Sequence, residues 1–273
     1  MIKLFLFFSL TLLTFANNKD LKKSKNKHTI KIAVIDTGFD FKSIWKDAEE
    51  KGLKKPVTCK NGHKDFTGKG MQDVHGHGTH IAGLIAKYAG EANYCLIIIK
   101  YFDSFASGEV NLRNTIKSFE YLSTLDVDII NYSGGGLSFN REEYKAIKKL
   151  LDKGVLLVAA AGNEGMEIDH HVFRNRGGEI AYIERKTTEI YFVNIYAERK
   201  SFFPAAYDPR IISVKAVDKD GRKIKSSNYG AAISHAELGL NVLSLGLNNN
   251  YGYLTGTSQA CAIKTGKVIK KWK

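Results

Sequence analysis

Lys31-Ile32-Ala33-Val34-Ile35 is a short, nearly continuous apolar run closed by Asp36-Thr37-Gly38, and runs of the same kind recur along the chain. They are Cys95-Leu96-Ile97-Ile98-Ile99, Val127-Asp128-Ile129-Ile130, Val155-Leu156-Leu157-Val158-Ala159 and Ile211-Ile212-Ser213-Val214. Such runs suit strands buried on both faces. Between them the spacing turns helical: Leu112, Ile116, Phe119 and Leu122 share one face, as do Tyr144, Ile147 and Leu151, with Gly154 placed to stop the second helix. Alternating strand and helix predict an α/β fold, a mainly parallel sheet covered by helices, with reactive groups gathered beyond the carboxyl ends of the strands. Residues 179–200 break the alternation. Two β-prone segments, Ile180-Ala181-Tyr182-Ile183 and Glu189-Ile190-Tyr191-Phe192-Val193, flank the polar Arg185-Lys186-Thr187-Thr188 and read as an inserted antiparallel hairpin.

The chain has 273 residues, 44% hydrophobic and 25% charged, with 3 Pro against 25 Gly. That composition excludes collagen-like, mucin-like, wholly disordered and multi-span membrane classes. Lys plus Arg number 41 against 28 acidic residues, a net charge of +13 that draws anionic material to the surface, though no motif points to a specific nucleic acid. Lys3, the apolar stretch from Leu4 to Leu13 and Thr14-Phe15-Ala16 have the anatomy of a secretory signal peptide cut after Ala16. The apolar stretch is shorter than the about 20 residues a membrane-spanning helix needs. Residues 17–29 form a basic arm carrying Lys19, Lys22, Lys23, Lys25 and Lys27, and residues 30–273 the folded domain. The expected product is a secreted or periplasmic monomer with no stable membrane insertion. Three cysteines allow at most one internal disulfide; Cys261 lies in a helical stretch as a small buried thiol, which leaves Cys59 with Cys95 as the expected pair.

Three glycine-flanked polar segments fall at the edges of predicted elements. Asp36 ends the first run, where a carboxylate also serves simply to cap a turn. His75-Gly76-His77-Gly78-Thr79-His80 opens a small-residue helix. Its spacing is not that of a zinc helix, and no matching ligand set follows, so no metal is assigned. A histidine at a helix start is disfavoured as a cation by the macrodipole and can act as a neutral base, given an acidic partner to fix its tautomer. Leu254-Thr255-Gly256-Thr257-Ser258-Gln259-Ala260 opens the last helix. A serine there reads as an N-cap or as a nucleophile beside outward-pointing N–H groups.

Asp, His and Ser in this chain order, each in a glycine-bounded turn, resemble the subtilisin-like serine proteases, or subtilases. The resemblance runs from about Ile30 to Gly266 and rests on Val34-Ile35-Asp36-Thr37-Gly38, His77-Gly78-Thr79-His80-Ile81-Ala82-Gly83 and Gly256-Thr257-Ser258-Gln259-Ala260. It implies a three-layer subtilisin-like fold and an exported endopeptidase acting on protein or peptide substrates. Ser258 would be the nucleophile, His77 the general base and Asp36 its orienting carboxylate, with His75 and His80 supporting the fold. Ala159-Ala160-Ala161-Gly162-Asn163-Glu164-Gly165 resembles the segment whose asparagine amide faces the tetrahedral oxygen, so Asn163 would complete the oxyanion hole. Asn131-Tyr132-Ser133-Gly134-Gly135-Gly136 resembles the strand lining the specificity pocket, and Ser107-Gly108 the opposite edge. Together with Gly162, the implied substrate-binding set is Ser107, Gly108, Ser133, Gly134 and Gly135, on which an extended peptide would add as a strand. No cofactor is needed for this chemistry. Calcium is common in the family, but no ligand set maps onto this chain. An esterase using the same three residues, and a catalytically degenerate relative acting as a basic binding protein, are the competing readings.

The chain departs from the family pattern in several places. Ala262 stands where proline is usual, and the segment after Ser258 is short and basic, a poor substitute for further apolar packing. Too few residues lie between Ala16 and Ile30 for a prodomain, so folding unaided or with a partner is expected. The hairpin at 179–200 is expected to form one wall of the substrate cleft. Gln259 follows the serine where many members have methionine, and glutamine forms no sulfoxide. Hydrolytic activity is therefore expected to survive dilute peroxide; inactivation that tracks oxidation of a distant methionine would contradict this.

Overall fold

The computed structural model describes residues 28–169, 173–174, 180–183, 190–192 and 201–272. Residues 1–16, expected to be a signal peptide, the lysines of the arm and the connections of the 179–200 insertion lie outside the described residues. In chain order the elements are β1 (Ile30–Asp36), β2 (Lys64–Asp65), α1 (His77–Ala89), β3 (Tyr94–Lys100), α2 (Gly108–Leu122), β4 (Ile129–Tyr132), α3 (Arg141–Asp152) and β5 (Leu156–Ala160). There follow β6 (Phe173–Arg174), β7 (Ile180–Ile183), β8 (Ile190–Phe192), β9 (Ile212–Val217), β10 (His235–Leu238), β11 (Val242–Leu245), β12 (Tyr251–Leu254) and α4 (Thr257–Lys270).

Seven strands form one sheet in the order β10-β9-β5-β4-β1-β3-β2, and every neighbouring pair is parallel. The apolar runs are the central strands. In β1, Ile32 and Val34 pack into one core with α1 and α4, while Ala33 and Ile35 face the other, filled by α2 and α3. This is the α/β three-layer arrangement expected from the sequence. Because β3 and β4 flank β1 on opposite sides, the winding reverses at β1, which opens a crevice at the carboxyl ends of these strands.

The insertion is larger than a hairpin: β7 pairs antiparallel with β8, and β6 adds to β7 as a third strand. Its relation to the cleft falls outside the described residues. A separate antiparallel pair, β11 with β12, leads into α4.

The helices begin in two ways. Ser107 caps α2 by accepting from Val110 N–H at 3.3 Å, and Asn140 caps α3 by accepting from Glu142 and Glu143 N–H. Ser107-Gly108, expected from the family resemblance to line the edge of the substrate cleft opposite Ser133–Gly135, is exposed and forms the start of α2; serine's competition for backbone N–H groups sets the cap. By contrast α1 and α4 start after Gly76 and Gly256 with no side-chain cap, and both are buried along most of their length. Buried Ile263, Thr265, Gly266 and Ile269, with Trp272 packed against the same core, correct the expectation that the basic segment after Ser258 is a poor apolar layer.

Cys59 and Cys95 are disulfide-bonded, tying the segment before β2 to β3, and Cys261 is a buried free thiol whose pKa burial pushes up to about 12. Among the described residues no helix is long and apolar enough to cross a membrane.

The approach of α1 to α4 depends on Gly266. A Cβ there would fall 2.6 Å from the Tyr88 Cβ and 2.8 Å from the Ile85 carbonyl oxygen. Gly266→Ala is therefore expected to destabilise the fold by about 1–3 kcal/mol, read as a lower urea midpoint at unchanged slope.

Candidate active site

Four chain turns meet at the carboxyl edge of the sheet. Asp36 is the last residue of β1, His77 the first of α1 and Ser258 the second of α4, while Asn163 follows β5. His77 comes to Asp36 because Gly78 has no side chain: a Cβ at Gly78 would lie 2.2 Å from the Gly38 carbonyl oxygen and 3.2 Å from the Asp36 carboxylate.

His77 Nδ1 lies 2.7 Å from Asp36 Oδ1, which also accepts from Thr37 N–H at 2.8 Å. An ionised carboxylate only accepts, so Nδ1 carries the proton and the neutral ring keeps a lone pair on Nε2. Burial pulls the His77 pKa down, but the charge and hydrogen bond of Asp36, helped by Asp73, overcome it and leave it above the ordinary value. The helix-start argument predicts the opposite sign; a carboxylate at 2.7 Å outweighs the macrodipole.

The sequence reading did not single out Asp73. Its buried carboxylate accepts from Thr37 Oγ1, His75 N–H, Gly76 N–H, Thr79 N–H and Thr79 Oγ1, at 2.7 to 3.0 Å. It supplies the cap that Gly76 cannot and sets the orientation of α1. Asp73 ahead of the histidine cluster is an Asx-turn signal that could have been read. His80 is also structural. Its Nε2 faces the carbonyls of Val242 and Gly252, and burial is the main cause holding its pKa down at about 4, so it stays neutral.

Ser258 Oγ donates to the Ser133 carbonyl at 3.0 Å, and no hydrogen bond joins it to His77. Ser133 Oγ in turn donates to the Ser258 carbonyl at 3.2 Å. Deeper in, Asn131 Oδ1 accepts from Thr265 Oγ1 at 2.8 Å and from Cys261 Sγ, which stitches the end of β4 to α4. Asn163 Oδ1 accepts from Thr257 N–H at 2.9 Å and from Thr257 Oγ1 at 3.2 Å. Because an N–H must meet the oxygen, the amide is oriented with Nδ2 left over as a donor.

A cavity of about 250 Å³ contains Ser133, Gly134, Gly135, Gly162, Asn163 and Ser258 in its wall, together with Glu164 and Phe202. Gly108 lies instead on a neighbouring cavity, and Ser107 on neither. Of the expected substrate-binding set the structure thus groups four residues with Ser258 and separates two. Among the described residues no group of three or more His, Cys, Asp or Glu side chains is placed to hold a metal ion.

The model of the subtilase family matches residues 27–270. The chain is 33% identical over 256 residues to the major intracellular serine protease of Bacillus subtilis strain 168, covering 89% of this chain and 67% of that one. It is 30% identical over 240 residues to the minor extracellular protease Epr of the same strain, covering 85% of this chain but only 30% of that longer protein. Among solved structures, a cold adapted subtilisin-like serine proteinase superposes with a TM-score of 0.62 at 20% identity, over 87% of this chain and 72% of the other. A lanthipeptide protease does so with a TM-score of 0.66 at 21% identity, over 88% and 72%. These two show likeness of fold.

Since Asp36 lifts the His77 pKa, the imidazolium stabilises the fold below the unfolded value of 6.5, and that stabilisation is lost as pH rises through the folded value. By NMR, His77 is expected to titrate above 6.5, and Asp36→Asn to bring it below 6.5, where burial acts without its partner. An unmoved titration would contradict this assignment.

Proposed function

The chain belongs to the subtilase family, and on that premise we propose that it is an exported serine endopeptidase working through Asp36, His77 and Ser258 with Asn163 in the oxyanion hole. The observation that carries the reading is the 2.7 Å Asp36–His77 contact, which fixes the tautomer needed for a base at Nε2. An extended peptide lies along Ser133–Gly135 with one side chain in the Ser258 cavity. In this reading the Ser258 hydroxyl leaves the Ser133 carbonyl and turns to His77, and Nε2 takes its proton as Oγ attacks the scissile carbonyl. The negative oxygen that forms accepts from Asn163 Nδ2 and Ser258 N–H. His77 then protonates the leaving amine, and water repeats the sequence on the acyl-enzyme.

Export is supported by the signal-like residues 1–16 and by the Cys59–Cys95 disulfide, which suits an oxidising compartment. The two relatives above are named one as intracellular and one as extracellular, so relatedness alone does not choose. The degenerate-binder reading draws on the Ser258 hydroxyl being engaged with Ser133 and not His77.

A fluorophosphonate is expected to label the protein covalently, and Ser258→Ala to abolish labelling; an unlabelled chain would favour the binder. Peptide libraries cleaved at amide bonds separate a protease from an esterase. Asn163→Ala is expected to lower kcat by about 100- to 1000-fold with little change in KM, a size carried over from subtilisin itself.

A further inference from the structure

The cavity beside the Ser258 cleft contains a buried carboxyl group that the proposed mechanism leaves idle. This cavity, about 340 Å³, shares Gly135, Gly136 and Leu137 with the first. Tyr101, Phe102, Leu112, Tyr132 and Phe203 give it apolar and aromatic walls, and among them stands Glu143, 4% exposed. Glu143 Oε2 accepts from the Tyr207 hydroxyl at 2.6 Å. Oε1 has no hydrogen-bond partner among the described residues, and no lysine or arginine acts on the carboxylate. Burial pushes its pKa up to about 7, the mark of an acid without a countercharge.

The fold itself has little use for this charge. Glu143 is the third residue of α3, where a capping-box side chain would reach back to the N–H of the cap residue. Here the Asn140 N–H meets the Tyr207 hydroxyl at 3.1 Å instead, and Glu143 only receives from that hydroxyl. A glutamine oxygen would receive as well. A buried carboxylate with one hydrogen bond and no cation is costly, so the cavity is complementary to a cation brought from outside.

We propose that Glu143 makes this cavity the receptor for a lysine or arginine side chain of the substrate, and so selects peptides carrying a basic residue close to the bond that Ser258 attacks. The inference rests on the proteolytic reading for the identity of the ligand. Gly135, Gly136 and Leu137 line both cavities, so the basic residue sits close to, but not at, the position held in the Ser258 cavity. The aromatic walls cover the alkyl stem and offer ring faces to the charged end.

The experiment measures equilibrium binding of fluorescein-labelled peptides to the full-length Ser258→Ala chain, with lysine, norleucine or acetyl-lysine placed at each position in turn. At one position other than that seated beside Ser258, lysine is expected to bind about 10-fold or more tightly than norleucine, with acetyl-lysine resembling norleucine. Adding Glu143→Gln brings the lysine-to-norleucine ratio at that position to about 1. Absence of a lysine preference at every such position, or its survival in Glu143→Gln, overturns the proposal. If Glu143→Gln fails to fold, the comparison of lysine with acetyl-lysine on the Ser258→Ala chain decides alone, equal binding overturning it. Failure of the proteolytic reading shows separately, as native chain that neither takes up the fluorophosphonate nor cleaves any peptide.

Discussion

Two helices buried on nearly every side, α1 and α4, lie against each other with glycine at the point of contact, and the position of every group in the candidate site follows from that crossing. His77 is the first residue of one and Ser258 the second of the other, so their separation is set by packed cores and not by surface loops. Close-packed interiors have few alternative arrangements, which suits chemistry in which a misplacement of about 1 Å is expensive. Bonds to the sheet complete the frame: Asp36 holds His77, and Asn131 and Ser133 hold the start and body of α4.

The buried carboxylates of this frame differ in what they lack. Asp73 is saturated by five donors and acts as scaffold. Asp36 has one N–H and the imidazole, a partner whose charge can change. Glu143 has a single hydroxyl. Going from the first to the third, the protein satisfies less of each group's demand for positive charge, and more is left for a proton or a ligand to supply.

The apolar runs made the sheet legible, because strands covered on both faces show no polar alternation; Ala33 and Val34 are adjacent, face opposite cores and are equally buried. Asp36, His77 and Ser258 drew attention through their glycine-bounded turns and Asn163 through the family resemblance alone; Asp36 ends β1 with His77 beside it, Asn163 follows β5, and Ser258 bonds the Ser133 carbonyl just past β4. The helix start at Ser107-Gly108 was not legible, because the hydrogen bond to Val110 that makes it is not visible in residue types. Glu143 was hidden for another reason. At the third position of a helix rich in Lys and Glu it reads as an ordinary exposed acid, and only the tertiary approach of Tyr207, 64 residues away, encloses it. The charge state of His77 was likewise beyond local reasoning, since it depends on a partner 41 residues distant.

Among the described elements α4 is the last to leave the ribosome, yet it fills the middle of the molecule, touching α1, β4, β5 and β9. The partners that surround it must wait with an open groove until it arrives, and contacts of such long sequence separation make for slow closure. The candidate site is thereby completed late: a nascent chain that has not yet presented α4 lacks both Ser258 and the helix that seats it, and the groove between α1 and the sheet stays open until that helix docks.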